Sequence, residues 1–105
     1  MTSIPDISKL TPPITVGIVG LGRAGWGLHL EPISKLPGFK IIAVADPLPD
    51  RCQEAAELLG CERFSSVDDL LEKSSAQLIV VATPSSSHFE DAWKVLKAGR
   101  HCVGE

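Results

Sequence analysis

The 105 residues carry 10 lysines and arginines against 13 acids, a formal net charge of −3, with 44% hydrophobic and 22% charged residues. Such ordinary usage argues against a disordered or fibrous chain, and the lack of any basic cluster argues against nucleic acid or an anionic membrane surface as partner. No apolar run approaches the ~20 residues of a membrane-spanning helix, and three cysteines without C-x-x-C spacing fit neither a disulfide framework nor a zinc site.

Residues Met1 to Pro13 show no periodicity and end in two adjacent prolines, so they read as a flexible arm with no secretory signal, and the location expected is cytoplasmic. The domain is expected over residues 14–105. Its elements alternate: a strand over Ile14 to Val19, a helix over Arg23 to Leu36, a strand over Lys40 to Ala45 and a helix over Asp50 to Leu59. A weak strand at Arg63 and Phe64 and a short helix over Val67 to Lys73 come next. The chain then offers a strand over Gln77 to Ala82, a helix over Ser87 to Ala98 and a last strand over His101 to Val103.

Gly38, Gly60 and Gly99 each follow a helical run where a left-handed C-terminal residue is wanted. Ser66 precedes Val67 as an N-cap, with Asp68 and Asp69 in the first turn, and Ser86 or Ser87 is expected to cap the last helix. Trp26 and Trp93 read as core residues, and His29 and His101 as packing or edge residues. The strands around Ile41 and Ile79 are continuously apolar, as in a sheet covered on both faces. This order predicts an α/β fold, a doubly wound parallel sheet of Rossmann type in three αβα layers. It leaves the strand at His101 to Val103 as an open sheet edge, through which homodimers are expected to form.

The most informative segment is Val19-Gly20-Leu21-Gly22-Arg23-Ala24-Gly25, a G-x-G-x-x-G placed directly after a strand and into a helix. Gly20 permits a tight turn, Gly22 lets the backbone approach a pyrophosphate, and Gly25 lets helix and strand pack closely. The amides of Arg23 and Ala24 then point at the phosphates from the positive end of the helix. Asp46, at the end of the second strand, stands where a carboxylate accepts hydrogen bonds from the adenosine ribose. An acid there favours NAD over the 2′-phosphate of NADP, a preference that nearby Arg51 moderates, so NAD is the expected cofactor with NADP possible. The competing reading is purely structural: a tight turn, with Asp46 starting a turn at Pro47. A third segment, the loop at Thr83 and the serines after it, lies at the carboxyl end of a strand next to the expected switch point, where open parallel sheets bind ligands.

Three blocks together resemble the glucose-fructose oxidoreductase / inositol dehydrogenase / MocA family. They are Gly17 to Gly25 with His29 following, Pro37-Gly38-Phe39 to Ala43-Val44-Ala45-Asp46-Pro47, and Val81-Ala82-Thr83-Pro84-Ser85-Ser86-Ser87-His88 to Ala98-Gly99-Arg100-His101-Cys102-Val103-Gly104-Glu105. The resemblance covers residues 14–105. It implies that Thr83, Pro84, Ser85 and His88 line the cofactor cleft, although the family often has asparagine where this chain has Ser85. It also implies that Glu105 is the glutamate of a Glu-Lys-Pro motif whose lysine assists proton transfer. On that resemblance the chain is the cofactor-binding half of an oxidoreductase, truncated before its second domain, so that it binds cofactor without catalysing. The parent enzyme would move a hydride between the nicotinamide and a hydroxyl-bearing carbon of a sugar, cyclitol or similar polyol. The alternative from another class is a non-catalytic dinucleotide-sensing or scaffold module.

Overall fold

The computed structural model describes residues 2–4 and 10–104. Six strands form one sheet: β1 Thr2–Ile4, β2 Ile14–Val19, β3 Phe39–Ala45, β4 Glu62–Phe64, β5 Leu78–Val81 and β6 His101–Gly104, in the order β1-β6-β5-β2-β3-β4. The strands β2 to β6 run parallel, and β1 lies antiparallel on β6. From β2 the chain winds through β3 to β4 on one side, then crosses to β5 and β6 on the other. A crevice opens at the carboxyl ends of β2 and β5, where the winding changes direction.

Two apolar layers explain why the strand sequences are apolar without interruption. Val16, Ile18, Leu78 and Val80 pack with Leu30, Cys52 and Ala55 on one face of the sheet. Their neighbours Val19, Ile79 and Val81 pack with Val67, Leu70, Ala92 and Val95 on the other. Period-2 alternation thus serves two cores at once, and both faces are covered. In β3 the register steps from Val16 opposite Ile41 to Gly17 opposite Ala43, so Ile42 is one residue extra. This bulge re-aims the rest of the strand, and Ala45 is left where its carbonyl accepts the Gly20 amide at 2.8 Å.

The helix after the glycine turn starts at Arg23, widens into a π segment over Gly25–Leu30 and closes as α1, Glu31–Ser34. The Glu31 amide donates to the Trp26 carbonyl, five residues back. Pro32 has no amide to offer Leu28 in the ordinary α register, which removes one competitor of the wider turn. Next come α2, Pro49–Leu59, then α3, Val67–Lys73, and α4, Ser85–Lys97. The turns at Gly38, Gly60 and Gly99 all take positive φ. Arg100 donates to the carbonyls of Leu71, Ser74 and Ala76, which fixes the passage from α3 into β5.

Ser66 caps α3 as the sequence indicates: its Oγ accepts the Asp69 amide at 3.2 Å. Ser66→Ala should therefore cost about 1 kcal/mol, a fall in melting temperature of roughly 4–8 °C that thermal denaturation would register. A melt unchanged within error would show that this cap contributes nothing.

Four expectations need correction. Thr2–Ile4, assigned from sequence to a flexible arm, forms β1, and Thr2 stands opposite Gly104. The expected open edge at His101 to Val103 is consequently covered by the chain itself, and the dimer argued from it loses its basis; the remainder of the arm up to residue 9 lies outside the described residues. The serines of α4 do not cap it, because the helix already begins at Ser85 after Pro84, and Ser87 Oγ instead donates back to the Pro84 carbonyl at 3.3 Å. Trp93 is 55% exposed rather than buried. Small Ala92 together with Val95 faces the sheet and turns Phe89 and Trp93 outward. Trp26, by contrast, is half-buried against the core.

Candidate functional site

The crevice at the carboxyl ends of the strands is a cleft of about 740 Å³, within the size range of cofactor sites. Its floor is the glycine turn. Gly20 takes φ +96, and a Cβ there would lie 2.9 Å from the Ala82 backbone, so only glycine lets the turn pass the end of β5. Gly25 is under the turn, not in the cleft: the space of its Cβ is occupied by the Gly20 carbonyl oxygen. Gly22 differs, since a Cβ there would meet nothing closer than Arg51 Nη1 at 3.7 Å. Among the described residues nothing crowds a Cβ at 22, so this side of the turn is open towards the cleft that Gly22 lines.

Asp46 binds the turn to the next strand. Its side chain is almost fully buried, its Oδ2 accepts the Leu21 amide at 2.8 Å, and its Oδ1 accepts the Leu48 amide at 2.8 Å. The structural reading of Asp46 therefore holds as far as it goes, because the bond to Leu48 is a turn of the kind expected at Pro47. The bond to Leu21, across 25 residues of sequence, goes further and joins the acid to the glycine turn. A carboxylate has about four lone-pair sites, so two amides leave acceptor capacity on the cleft side. Arg51 approaches Asp46 Oδ2 at 3.6 Å. Behind this corner Cys52 donates its thiol to the carbonyls of Asp46 and Phe64, and burial pushes that thiol up from its ordinary pKa.

Opposite the turn stands the loop after β5. Thr83 Oγ1 is buried and makes no hydrogen bond among the described residues. A buried hydroxyl normally has a partner, so this one is available to a ligand in the cleft that it lines.

The structure gathers Gly20, Gly22, Arg23, Ala24, Asp46, Thr83 and Pro84 on one cleft. Ser85 and His88 line a smaller adjoining hollow of about 340 Å³ that shares Ala24, Ala82 and Thr83 with it. The His88 ring rests on the end of β6, with Nε2 2.7 Å from where a Cβ on Gly104 would be. Glu105 lies outside the described residues.

Sequence reasoning missed the outer wall, formed by Ser65, Ser66, Val67 and Asp68 before and within α3, and by Ser87, Asp91 and Lys94 on α4. Lys94 closes this end by pairing with Asp68 at 3.1 Å and Glu90 at 3.5 Å, and the hydrogen bond its ammonium donates to Asp68 holds it above the ordinary lysine range. The spacing of residues 87, 91 and 94 marks one helix face and is the signal that could have found it.

A family model described as an oxidoreductase family with an NAD-binding Rossmann fold matches residues 14–105. The scyllo-inositol 2-dehydrogenase (NAD(+)) of Bacillus subtilis is 30% identical over 93 residues, covering 88% of this chain and 27% of that protein. The WlbA dehydrogenase of Bordetella pertussis, solved with NADH and UDP-GlcNAcA, superposes with a TM-score of 0.81 at 35% identity over 87% of this chain and 26% of that one. The scyllo-inositol dehydrogenase of Lactobacillus casei with bound NAD(H) and scyllo-inositol gives 0.81 at 31% identity, again over 87% of this chain and 27% of that one. The chain thus spans about a quarter of the length of these relatives.

Proposed function

The chain belongs to the GFO_IDH_MocA oxidoreductases with an NAD-binding Rossmann fold, and on that premise we propose that its cleft binds NAD for hydride transfer to or from a sugar, cyclitol or related polyol. The observation that carries the reading is the buried Asp46 carboxylate bonded to the glycine turn at Leu21. The two parts of a dinucleotide fingerprint are thereby one rigid unit at the switch point. Thr83, with its buried and unpartnered hydroxyl, fits a polar ligand lying across the loop after β5.

Each residue then has a defined duty. The open face at Gly22 admits the diphosphate, and the amides of Arg23 and Ala24 in the first turn of the helix donate to it. Gly20 and Gly25 hold the turn in shape. Asp46 accepts from the ribose hydroxyls with the lone pairs that Leu21 and Leu48 leave unused. Thr83 and Pro84 form the facing wall. The adjoining hollow with Ser85 and His88 takes the nicotinamide half. The nicotinamide supplies the hydride acceptor or donor, while the chain's own groups bind and orient it. Substrate contacts, by analogy with relatives some four times as long, are proposed for the whole enzyme only. The location proposed is the cytoplasm, in keeping with Cys52, Cys61 and Cys102 as free thiols; among the described residues no helix is long and apolar enough to cross a membrane.

Gly22→Ala separates binding from folding, because its Cβ meets only ordinary contact within the fold. Calorimetric titration with NAD should give a dissociation constant of roughly micromolar to millimolar for the native chain and at least about tenfold weaker binding for Gly22→Ala, with no change in the melt. Equal affinity in both proteins, or none in either, would remove the dinucleotide reading.

A further inference from the structure

Asp91 stands half-buried on α4 and lines the main cleft together with Ser87 and Lys94 of the same helix face. Among the described residues its carboxylate has no hydrogen bond and no ion pair. Lys94, three residues on, is turned to Asp68 and Glu90 instead. A dinucleotide is an anion, and a bare carboxylate on the wall of its cleft repels it. The repulsion is offset only where that carboxylate meets a donor of the ligand.

The donors of the ligand are few. Asp46 takes the hydroxyls of the adenosine ribose, and the carboxamide and second ribose belong to the hollow with Ser85 and His88. The 6-amino group of the adenine remains. From Asp46 the cleft continues past Leu48 to Val67 and then to α4, which is the space left for the base. Leu48 is 49% exposed there, an apolar side chain that the fold leaves in water, and with Val67 it offers apolar contact to a flat ring. A base held between them has its edge towards α4, where Asp91 is the acid without a partner.

We infer that Asp91 is a specificity-determining residue for the base: its carboxylate accepts from the 6-amino group of adenine and turns away a purine that carries an oxygen there. This rests on the proposed dinucleotide site. An ionised carboxylate can only accept, so hypoxanthine, with a carbonyl oxygen in place of the amino group, sets acceptor against acceptor. A site built around one hydrogen bond discriminates strongly against an analogue that cannot make it.

Calorimetric titration of the chain with NAD and with nicotinamide hypoxanthine dinucleotide tests it. The native chain should bind NAD at least about tenfold more tightly than the hypoxanthine dinucleotide, and Asp91→Ala should bring the two within about twofold. Asp91→Asn offers both an acceptor and a donor. It should therefore also bind the two within about twofold, and bind the hypoxanthine dinucleotide more tightly than the native chain does. Equal affinity for the two ligands in the native chain, or an unchanged ratio in Asp91→Ala, overturns the inference and leaves the NAD site intact. Binding of neither overturns both. Matching thermal melts of the variants guard against a folding effect.

Discussion

Gly25→Ala is expected to lose a large part of the stability of the domain and all of its dinucleotide binding. The added methyl would occupy the place of the Gly20 carbonyl oxygen and also crowd its carbon. Both are backbone atoms, which cannot rotate aside. Gly20 in turn cannot withdraw: its amide is bonded to Ala45, and it already lies against the backbone of Ala82 and Thr83. The helix would have to move away from the sheet, taking buried Leu30 from the core it shares with Ile18. A cost of at least about 3 kcal/mol lies at the upper end of overpacking effects, out of roughly 5–15 kcal/mol for a whole domain. The melting temperature should fall by roughly 12–24 °C. Gly27→Ala is the natural control, two residues along the same helix, with nothing within 4 Å of the new methyl; it should be neutral or slightly stabilising. Melts within about 2 °C of native for Gly25→Ala would mean that the turn yields more easily than its contacts allow.

Asp46→Ala should weaken NAD binding by roughly 10- to 100-fold and cost about 2 kcal/mol of stability as well, the sizes expected for lost hydrogen bonds to a charged group and for one buried amide left without an acceptor. The amide is that of Leu21, a residue only 3% exposed; the Leu48 amide sits beside an exposed side chain and can turn to water. Asp46→Asn is no gentler in principle. Its carbonyl oxygen can serve one of the two amides, but its NH₂ then faces the other, donor against donor. Calorimetry and thermal melts on both variants read the two effects separately. Affinity retained within about threefold in Asp46→Ala would reduce the acid to a structural strut of the turn.

Much of this architecture was legible because its signals are local. The apolar runs at Ile41 and Ile79 state that both faces of the sheet are covered, and the glycines at 20, 22 and 25 gain their meaning from a strand before and a helix after. The place of Asp46 at a strand end beside the glycine turn was legible, although its bond to Leu21 was not, since no spacing rule reports which backbone amide a carboxylate will meet. The antiparallel pairing of Thr2–Ile4 with β6 joins the two ends of the sequence, and three residues hold no periodicity to announce it. The π segment at Gly25–Leu30 has the composition of any helix. Trp93 misled because a tryptophan near an apolar residue suggests a core face, whereas the close approach of α4 to the sheet selects its smaller residues, Ala92 and Val95.

The bond between Leu21 and Asp46 also bears on how fast the cleft can be filled. Both ends of the fingerprint are ordered as the chain folds, with the turn further held by Gly20 on Ala45 and Trp26 on Gly22. Little conformational entropy is then left to be lost at the moment of capture. A preorganised receptor of this kind is reached at a rate governed by diffusion and orientation, without waiting for a loop to rearrange, and differences in affinity among nucleotides should show up as differences in residence time.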